Sequence, residues 1–251
     1  MNDLHLKQAK PYSELAEYYN VVMAHVNYKK WAKYILKILS NFGFDNGLII
    51  DLSFGTGLFN KYFSTNSFRI FGADLSLHML SRYTLENSTH QIPLFVNDIC
   101  HMAIQNEKAD ILIFLYDSLN YLNTRPKLRK AFSEVKRILK PGGLCIFDAV
   151  TQRLCENYFS NSLETIKVGD IEIIRESFFD KGDLLQYNDF IFKRIGENLH
   201  ERHIQKIYSI KDIKSELRRA QFEIIATYDG LGFGKPSEKS ERVHFVCKKN
   251  D

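Results

Sequence analysis

The sequence lacks the features of disulfide-rich, zinc-binding and membrane-spanning proteins. Only four of its 251 residues are cysteine, and none has CxxC spacing or a zinc-type His/Cys spacing. No apolar run approaches the ~18 residues that a membrane helix needs, and no signal-peptide order of cationic, apolar and small residues opens the chain. These absences predict a reduced, cytoplasmic protein with no membrane association and no metal.

Strong charge of one sign is also missing. The formal net charge is +4, and the basic pairs Lys136-Arg137 and Arg218-Arg219 are typical of polar helix faces rather than of a phosphate-binding track. This balance disfavours a nucleic-acid partner and favours a small-molecule partner. We expect a monomer or a homodimer.

The pattern of apolar residues predicts an α/β fold. Apolar groups at helical spacing across 13–41, interrupted near 25–27, indicate two helices. Short apolar runs predict five buried parallel strands, and helical patterns separate them, notably at 75–85 and 127–139. The five strands are 48–52, 69–73, 94–96, 109–115 and 143–147.

The pattern changes after the fifth strand. Alternating apolar and polar residues from about 165 to 209 predict an antiparallel meander, which a helix at 210–220 and two final strands follow. We therefore predict a Rossmann-like, doubly wound, seven-stranded and mostly parallel sheet in residues 1–160 and 210–251. Residues 161–209 would form an inserted antiparallel β lid, and the helices within 1–45 would close the site.

A glycine turn follows the first predicted strand. Asp51 ends the strand, and Gly55 and Gly57 follow, so a ligand can approach the backbone where open α/β sheets bind ligands. The third glycine of the dinucleotide fingerprint is missing, since Asn60 stands there. The turn therefore favours a cofactor without a pyrophosphate.

Two more acids end the next two strands. Asp74 can accept hydrogen bonds from a ribose diol, and Asp98 can accept one from an adenine amino group. Each acid alone is typical of a helix cap or a turn. Three acids at three successive strand ends, together with the glycine turn, favour a nucleoside-type cofactor.

The chain resembles class I S-adenosylmethionine-dependent methyltransferases. The segments that carry the resemblance are IIDLSFGTGLF, IFGADLSLHML, FVNDIC, ADILIFLYDSLNYL and LKPGGLCIFD. The N-terminal YSELAEYYNVVMAHVNYKKW and the insertion are similar to a bacterial subgroup that includes amino-sugar N,N-dimethyltransferases and glycine N-methyltransferase-like enzymes. The resemblance implies S-adenosylmethionine as cofactor and S-adenosylhomocysteine as product, but it does not identify the acceptor.

The resemblance also implies roles for individual residues. Asp51, Ser53, Gly55 and Gly57 would surround the methionine part of the cofactor, and Asp74 would hold the ribose. The remaining implied contacts are Leu75 and Met79 near the adenosine, Asp98 and Ile99 at the adenine, Leu115 beside the sulfonium, and Tyr12, Tyr19, Tyr28 and Trp31 over the methionine end.

The sequence departs from the family pattern at three positions. Ser53 replaces a glycine or alanine, Phe54 replaces a common cysteine, and Asn20 replaces an aspartate. Serine is small enough to leave cofactor binding intact, whereas Asn20 puts any acidic role at that position in doubt.

Methyl transfer requires alignment of nucleophile, methyl and sulfur, and a base assists when the nucleophile carries a proton. Our catalytic candidates are Asp117, Tyr19 and His203; Asp117 is alternatively a helix cap and His203 an exposed bystander. Tyr19 lies in the N-terminal helices, whereas Asp117 and His203 come from the loop after the fourth strand and from the end of the insertion. Those two segments also contain the candidates Tyr116, Asn120, Tyr121 and Glu201.

Three functions remain open at this point. N- or O-methylation of a small molecule is favoured. An RNA methyltransferase should carry a basic or aromatic platform, which is not evident, and the Asn/Asp-Pro-Pro-Tyr/Phe motif is absent after the fourth strand. A non-catalytic, regulatory protein that binds S-adenosylmethionine is the third, supported only by Ser53 and Asn20.

Overall fold

The computed structural model describes residues 6–63, 67–86 and 92–250. Residues 1–5, 64–66, 87–91 and 251 of the predicted units therefore lie outside the described residues. The helices are α1 Leu15–Val22, α2 Tyr28–Asn41, α3 Asn60–Phe63, α4 Leu77–Glu86, α5 Arg125–Ile138, α6 Gln152–Tyr158 and α7 Ile210–Arg219, with a 3-10 turn at Ser118–Tyr121. The strands are β1 Leu6–Ala9, β2 Gly47–Asp51, β3 Phe68–Asp74, β4 Leu94–Val96, β5 Ala109–Phe114, β6 Leu139–Val150, β7 Asn161–Val168, β8 Ile171–Asp180, β9 Leu185–Lys193, β10 Asn198–Lys206, β11 Phe222–Asp229 and β12 Arg242–Lys249.

The larger sheet has seven strands in the order β11-β12-β6-β5-β2-β3-β4. Its five strands from β6 to β4 pair in parallel, and β12 runs antiparallel to both β6 and β11. This arrangement confirms the predicted seven-stranded, mostly parallel sheet. Strand order reverses between β2 and β5, and such a reversal opens a crevice at the carboxyl ends of the strands.

Helices cover both faces of this sheet because its strands are apolar on both sides. On one face, α2 buries Trp31, Ile35, Ile38 and Leu39 against the sheet, positions that repeat at helical spacing. On the other face, α5 and α7 pack against the strands. Each fully buried side chain of this size contributes about 1.5–3 kcal/mol, so the sheet is a rigid support for its strand ends.

The second sheet contains β7 to β10 in an antiparallel meander, as the alternating pattern predicted. Its inner face is apolar at one end, where Ile173, Phe192 and Leu199 pack against Leu15 and Tyr18 of α1. The sequence did not predict β1, which pairs in parallel with β10 at the sheet edge. Through β1 the N-terminal segment is joined to the second sheet, and α1 follows directly.

No helix in the described ranges is long and apolar enough to cross a membrane.

Candidate functional site

The first strand-end acid is buried and receives hydrogen bonds only from neutral groups among the described residues. Asp51 is 3% exposed; its Oδ1 accepts from the Ser53 N–H at 3.0 Å and its Oδ2 accepts from Asn60 Nδ2 at 2.7 Å. Burial raises the pKa of Asp51 to about 7, although the bonds from Asn60 and Ser53 oppose the shift. A cation beside this carboxyl group would therefore favour its ionised form.

The second acid joins the glycine turn to the end of β3. Asp74 Oδ2 accepts from the Gly55 N–H and Oδ1 accepts from the Ser76 N–H, both at 2.9 Å. Gly55 has φ +59°, a conformation that disfavours residues with a side chain. Burial raises the pKa of Asp74, while the backbone N–H groups favour its ionised form.

The third acid, after β4, is more open to solvent. Asp98 accepts hydrogen bonds from the Cys100 N–H at 2.8 Å and from His101 Nδ1 at 3.2 Å. Partial burial opposes its ionisation, but these two donors outweigh burial and hold the pKa of Asp98 below its ordinary value. The three strand-end acids thus lie in three different electrostatic environments.

A cavity of about 940 Å³ runs from these strand ends to the inner face of the second sheet. Its volume is at the upper end of the range for small-molecule sites. Most residues predicted for the site line it: Tyr12, Tyr19, Tyr28, Asp51, Ser53, Gly55, Asp74, Leu75, Met79, Asp98, Ile99, Leu115, Asp117 and His203.

Two residues predicted to contact the cofactor lie outside the cavity lining. A Cβ atom on Gly57 would lie 2.4 Å from Tyr83 Cδ2, so this glycine is needed for packing beneath the turn. Trp31 packs behind the cavity, with its ring 5.4 Å from that of Tyr116 and 5.2 Å from that of His244. Trp31 thus acts as a support for the lining rather than as part of it.

The departures at Ser53 and Asn20 have local explanations. The Ser53 hydroxyl oxygen accepts from the Leu115 N–H at 2.9 Å and so links the ends of β2 and β5. Asn20 Oδ1 accepts from Thr56 Oγ1 at 2.6 Å, and Asn20 Nδ2 donates to Glu86 Oε2 at 2.9 Å. Asn20 therefore joins α1 to the glycine turn and to α4.

Asp117 belongs to a buried charge network at the end of β5. Arg242 Nη1 lies 2.9 Å from Asp117 Oδ1 and also contacts Asp148, and Gln205 Nε2 donates to Asp117 Oδ2 at 2.6 Å. Burial raises the pKa of Asp117. The positive charge of Arg242 opposes this shift, and the negative charge of Asp148 adds to it. Both oxygens of Asp117 have partners, and its side chain makes no capping bond to the following turn, so the capping alternative is wrong.

The backbone around Asp117 adopts a strained conformation. Tyr116 and Asp117 have φ of 59° and 56°, which costs of order 1–3 kcal/mol for each non-glycine residue. Their N–H groups donate to the two oxygens of Asp148, at 2.6 and 3.0 Å. Asp148 thus holds the loop in place, and the Arg242 guanidinium lies 4.8 Å from the Tyr116 ring centroid.

His203 is not an exposed bystander, so that alternative is wrong. It lies on the inner face of the second sheet, is 2% exposed, and has Nε2 2.7 Å from Glu201 Oε1 and Nδ1 2.9 Å from Tyr121 Oη. Tyr19 lies nearby, its ring 6.2 Å from that of Tyr12. Burial raises the pKa of the Tyr19 hydroxyl well above 10, so it is a neutral phenol in the ligand-free site.

Sequence reasoning missed the polar groups that the second sheet presents to the cavity. Arg175, Gln186, Asn188 and Gln205 line it beside His203. Gln186 is 1% exposed, and its Oε1 has no hydrogen-bond partner among the described residues. Burial alternates strictly along β9, so Gln186, Asn188, Phe190 and Phe192 share one buried face. The residue types do not alternate in the same way, since two of these four are polar, so the sequence pattern did not report this face.

Comparison with known proteins agrees with this geometry. Residues 50–147 match the family model described as a methyltransferase domain. The chain is 28% identical over 244 residues to YqeM of Bacillus subtilis (strain 168), a protein named as a methyltransferase, with 95% of this chain and 97% of YqeM covered.

Two solved structures are similar over nearly the whole chain. The crystal structure of a S-adenosylmethionine-dependent methyltransferase from Clostridium acetobutylicum ATCC 824 has a TM-score of 0.80 and 26% identity, covering 96% of this chain and 99% of that one. The amino pentose methyltransferase CalS10 of Micromonospora echinaspora, solved with its S-adenosylmethionine, has a TM-score of 0.67 at 15% identity, covering 92% and 94%, which shows a shared fold alone. The chain is an S-adenosylmethionine-dependent methyltransferase with the class I, Rossmann-like fold.

Proposed function

We propose that the enzyme transfers the methyl group to nitrogen or oxygen of a small polar molecule. The observation that carries this proposal is the single cavity of about 940 Å³, which has the strand-end acids at one side and the polar groups of the second sheet at the other. Such a cavity has room for the cofactor and for a small acceptor, and its walls supply the few convergent polar groups that orient a ligand.

On the cofactor side, the proposal gives the methionine part to Asp51, Ser53 and Gly55 and the ribose to Asp74. A cationic ligand group beside Asp51 is chemically reasonable because this buried carboxyl group has no cationic partner among the described residues. The other proposed contacts are Leu75, Met79, Asp98 and Ile99 around the adenosine, Leu115 beside the sulfonium, and Tyr12 and Tyr28 over the methionine end.

On the acceptor side, the unpartnered Gln186 Oε1 supports a ligand that donates a hydrogen bond, such as an amine or a hydroxyl. Residues 161–209 would act as the lid that chooses the acceptor, and the helices within 1–45 would close over the cofactor. An amine acceptor would also agree with the sugar N-methyltransferase KedS8, whose solved structure has the same fold at 15% identity. The four cysteines are free and buried, which fits the proposed cytoplasmic location.

The basic residues do not favour an RNA substrate. Five of the 34 lysines and arginines line a groove between α5 and α7, where Arg129 and Arg219 pair with Glu216, and Arg137 pairs with Glu134. Lys249 in the same groove contacts the Leu139 carbonyl at the start of β6, at the end of the sheet away from the cavity. Four of these five cations have an acidic partner, although Arg129 and Arg219 share one, and the groove lies at the end of the sheet opposite the cavity.

The test is methyl transfer from methyl-labelled S-adenosylmethionine to a bacterial extract separated by dialysis into small molecules and RNA. We expect label in the dialysable fraction, and label in RNA alone would overturn the proposal. Asp74→Asn should weaken cofactor binding in calorimetry. Gln186→Leu, of similar volume, should leave that affinity within about twofold and reduce transfer at least about tenfold, because it removes the polar groups that face the acceptor, together with the Gln186 Nε2 bond to the neighbouring Tyr187 carbonyl.

A further inference from the structure

Four side chains form a hydrogen-bonded line between the cavity and a buried carboxylate. Tyr12 Oη lies 2.7 Å from Tyr121 Oη, which lies 2.9 Å from His203 Nδ1, and His203 Nε2 lies 2.7 Å from Glu201 Oε1. Tyr12, Tyr121 and His203 line the cavity, whereas Glu201 is fully buried behind them. Cofactor binding as such does not account for this line.

The direction of the hydrogen bonds follows from the partners of Glu201. Its Oε1 also accepts from the Tyr12 N–H at 2.5 Å, and its Oε2 accepts from the N–H groups of Glu14 and Leu15 at 2.9 and 3.1 Å. Burial disfavours the charge of Glu201, but the bond from His203 and these backbone donors hold its pKa below the ordinary value. An ionised Glu201 can only accept, so His203 Nε2 carries a hydrogen.

The donor and acceptor in each of the two other hydrogen bonds of the line then follow. When the Nε2 hydrogen is the one hydrogen on the ring nitrogens, His203 accepts at Nδ1 from the Tyr121 hydroxyl, and Tyr121 in turn accepts from the Tyr12 hydroxyl. The hydrogens all point from the cavity toward His203. A lone pair of the Tyr12 oxygen remains available to a group in the cavity.

We propose that Tyr12, Tyr121 and His203 form a proton relay that takes one proton from the methyl acceptor, with Glu201 as the positioning residue that sets its direction. The proposal rests on the proposed function and narrows its substrate class to acceptors that must lose a proton, namely protonated amines or hydroxyls. The acceptor's proton passes to the Tyr12 oxygen, the Tyr12 proton to Tyr121, and the Tyr121 proton to His203 Nδ1. The acceptor's lone pair then attacks the methyl carbon as the carbon–sulfur bond breaks, and imidazolium faces the Glu201 carboxylate.

Asp117 is less suited to this role because Arg242 and Gln205 occupy its two oxygens. The charged groups nearest the relay besides Glu201 are Asp117 and Arg175, which act on Tyr121 with opposite sign. Around His203 itself, the opposing residue on β9 is the neutral Asn188, and the Phe190 ring lies 5.3 Å away. Glu201 is therefore the charge that dominates the imidazole.

Glu201 also couples the relay to the cover of the site. The same carboxylate that orients His203 receives the first N–H groups of α1, where an anion is stabilised. Tyr12 has φ 61°, and Ser76 Oγ donates to its carbonyl at 3.2 Å, beside Asp74. The relay is thus complete only when α1 is docked on the second sheet.

The test is nitrogen NMR of the full chain, labelled with ¹⁵N-histidine and saturated with S-adenosylhomocysteine, with the His203 signals assigned from a His203→Gln sample. Wild type should show the Nε2–H tautomer. In Glu201→Gln, the amide oxygen keeps two backbone donors, the Glu14 and Leu15 N–H groups, when the NH₂ takes the Oε1 position. The NH₂ then faces Nε2, and the Tyr12 N–H loses its acceptor and must move away. We then expect the Nδ1–H tautomer, a reversed relay, and a loss of labelled transfer to the dialysable fraction of about 10²-fold.

Asp189→Asn is the matched control, because His200 Nε2 lies 2.5 Å from Asp189 Oδ1 on the outer face of the same two strands. It should change neither the His203 tautomer nor the transfer rate. Tyr121→Phe provides a second test if Glu201→Gln fails to fold: His203 should keep the Nε2–H tautomer while the rate falls by the same factor. An Nδ1–H tautomer in wild type, or an unchanged rate in Tyr121→Phe, would overturn the relay. Failure of wild type to bind S-adenosylmethionine in calorimetry would instead overturn the proposed function.

Discussion

Replacing the buried carboxyl group of Asp51 should make the ligand-free protein more stable at neutral pH and remove cofactor binding. In Asp51→Asn, the side-chain oxygen can still accept from the Ser53 N–H, and Asn60 can rotate its amide to accept from the new NH₂. The substitution removes the cost of a charge that burial disfavours, a cost visible in the pKa of about 7 against an ordinary value of 3.8.

The size of the effect depends on pH, and its sign follows from proton binding. Between these two pKa values the folded chain keeps the proton on Asp51 while the unfolded chain releases it, so the folded state binds more protons. Its stability therefore rises as the pH falls through 7, by about 1.4 kcal/mol per pH unit. Because the group is already half-protonated at pH 7, its gain from pH 7 to pH 5 is about 2 kcal/mol, and Asp51→Asn lacks it.

The measurement is urea unfolding of both proteins, without cofactor, at pH 8, 7, 6 and 5. The stability advantage of Asp51→Asn should be largest at pH 8 and shrink by about 3 kcal/mol toward pH 5, as wild type gains its proton. Asp98→Asn is the control: the pKa of Asp98 is lowered below its ordinary value of 3.8, so this group stays ionised in both states from pH 8 to 5 and the Asp98→Asn curve should run parallel to wild type. Wild type and Asp51→Asn curves that stay parallel from pH 8 to 5 would refute the reasoning.

Two further substitutions test the supports of the site. Gly57→Ala should lower the free energy of unfolding, measured in urea, by about 1–3 kcal/mol, because the φ of 75° and the contact with Tyr83 leave no room for a Cβ. An unchanged stability would contradict the packing role of this glycine. Arg242→Gln should lower the free energy of unfolding by about 3–5 kcal/mol in the same measurement, because it leaves Asp117 and Asp148 buried without their cation. A loss below about 1 kcal/mol would contradict the role of Arg242 as the cation of this network.

The fold was predictable because its strongest physical signals are local. Runs such as 48–52 and 109–115 are apolar on both faces and end in turn residues, which is the pattern of a parallel strand covered by helices. β1 escaped prediction because Lys7 and Gln8 interrupt a four-residue strand with no apolar run. Its pairing with β10 joins residues about 190 positions apart, and no local periodicity reports such a contact.

The candidate site was predictable where it follows from strand ends. Asp51, Asp74 and Asp98 come together because parallel strands bring their carboxyl ends to one edge of the sheet. The charge network of Asp117 was not predictable, since Arg242 reaches it from β12, more than a hundred residues later. His203 was a candidate as a titratable residue, but its burial depends on how the second sheet packs over the cavity.

The environment of each acid also limits where a cationic ligand can bind. Asp117 and Asp148 are buried, but both contact the guanidinium of Arg242, so each already has a cationic partner. Glu201 is balanced by helix N–H groups and His203. Of the acids that line the cavity, Asp51 and Asp74 accept only from neutral donors in the described part of the chain. Asp51 is the more buried of the two, and burial raises its pKa to about 7, so it is half-protonated near pH 7. A positively charged ligand group gains most by binding there, because it releases that proton and restores the charge that folding suppressed. The reactive end of the cofactor carries two such groups, an ammonium and a sulfonium, so its affinity should rise as the pH is raised through 7.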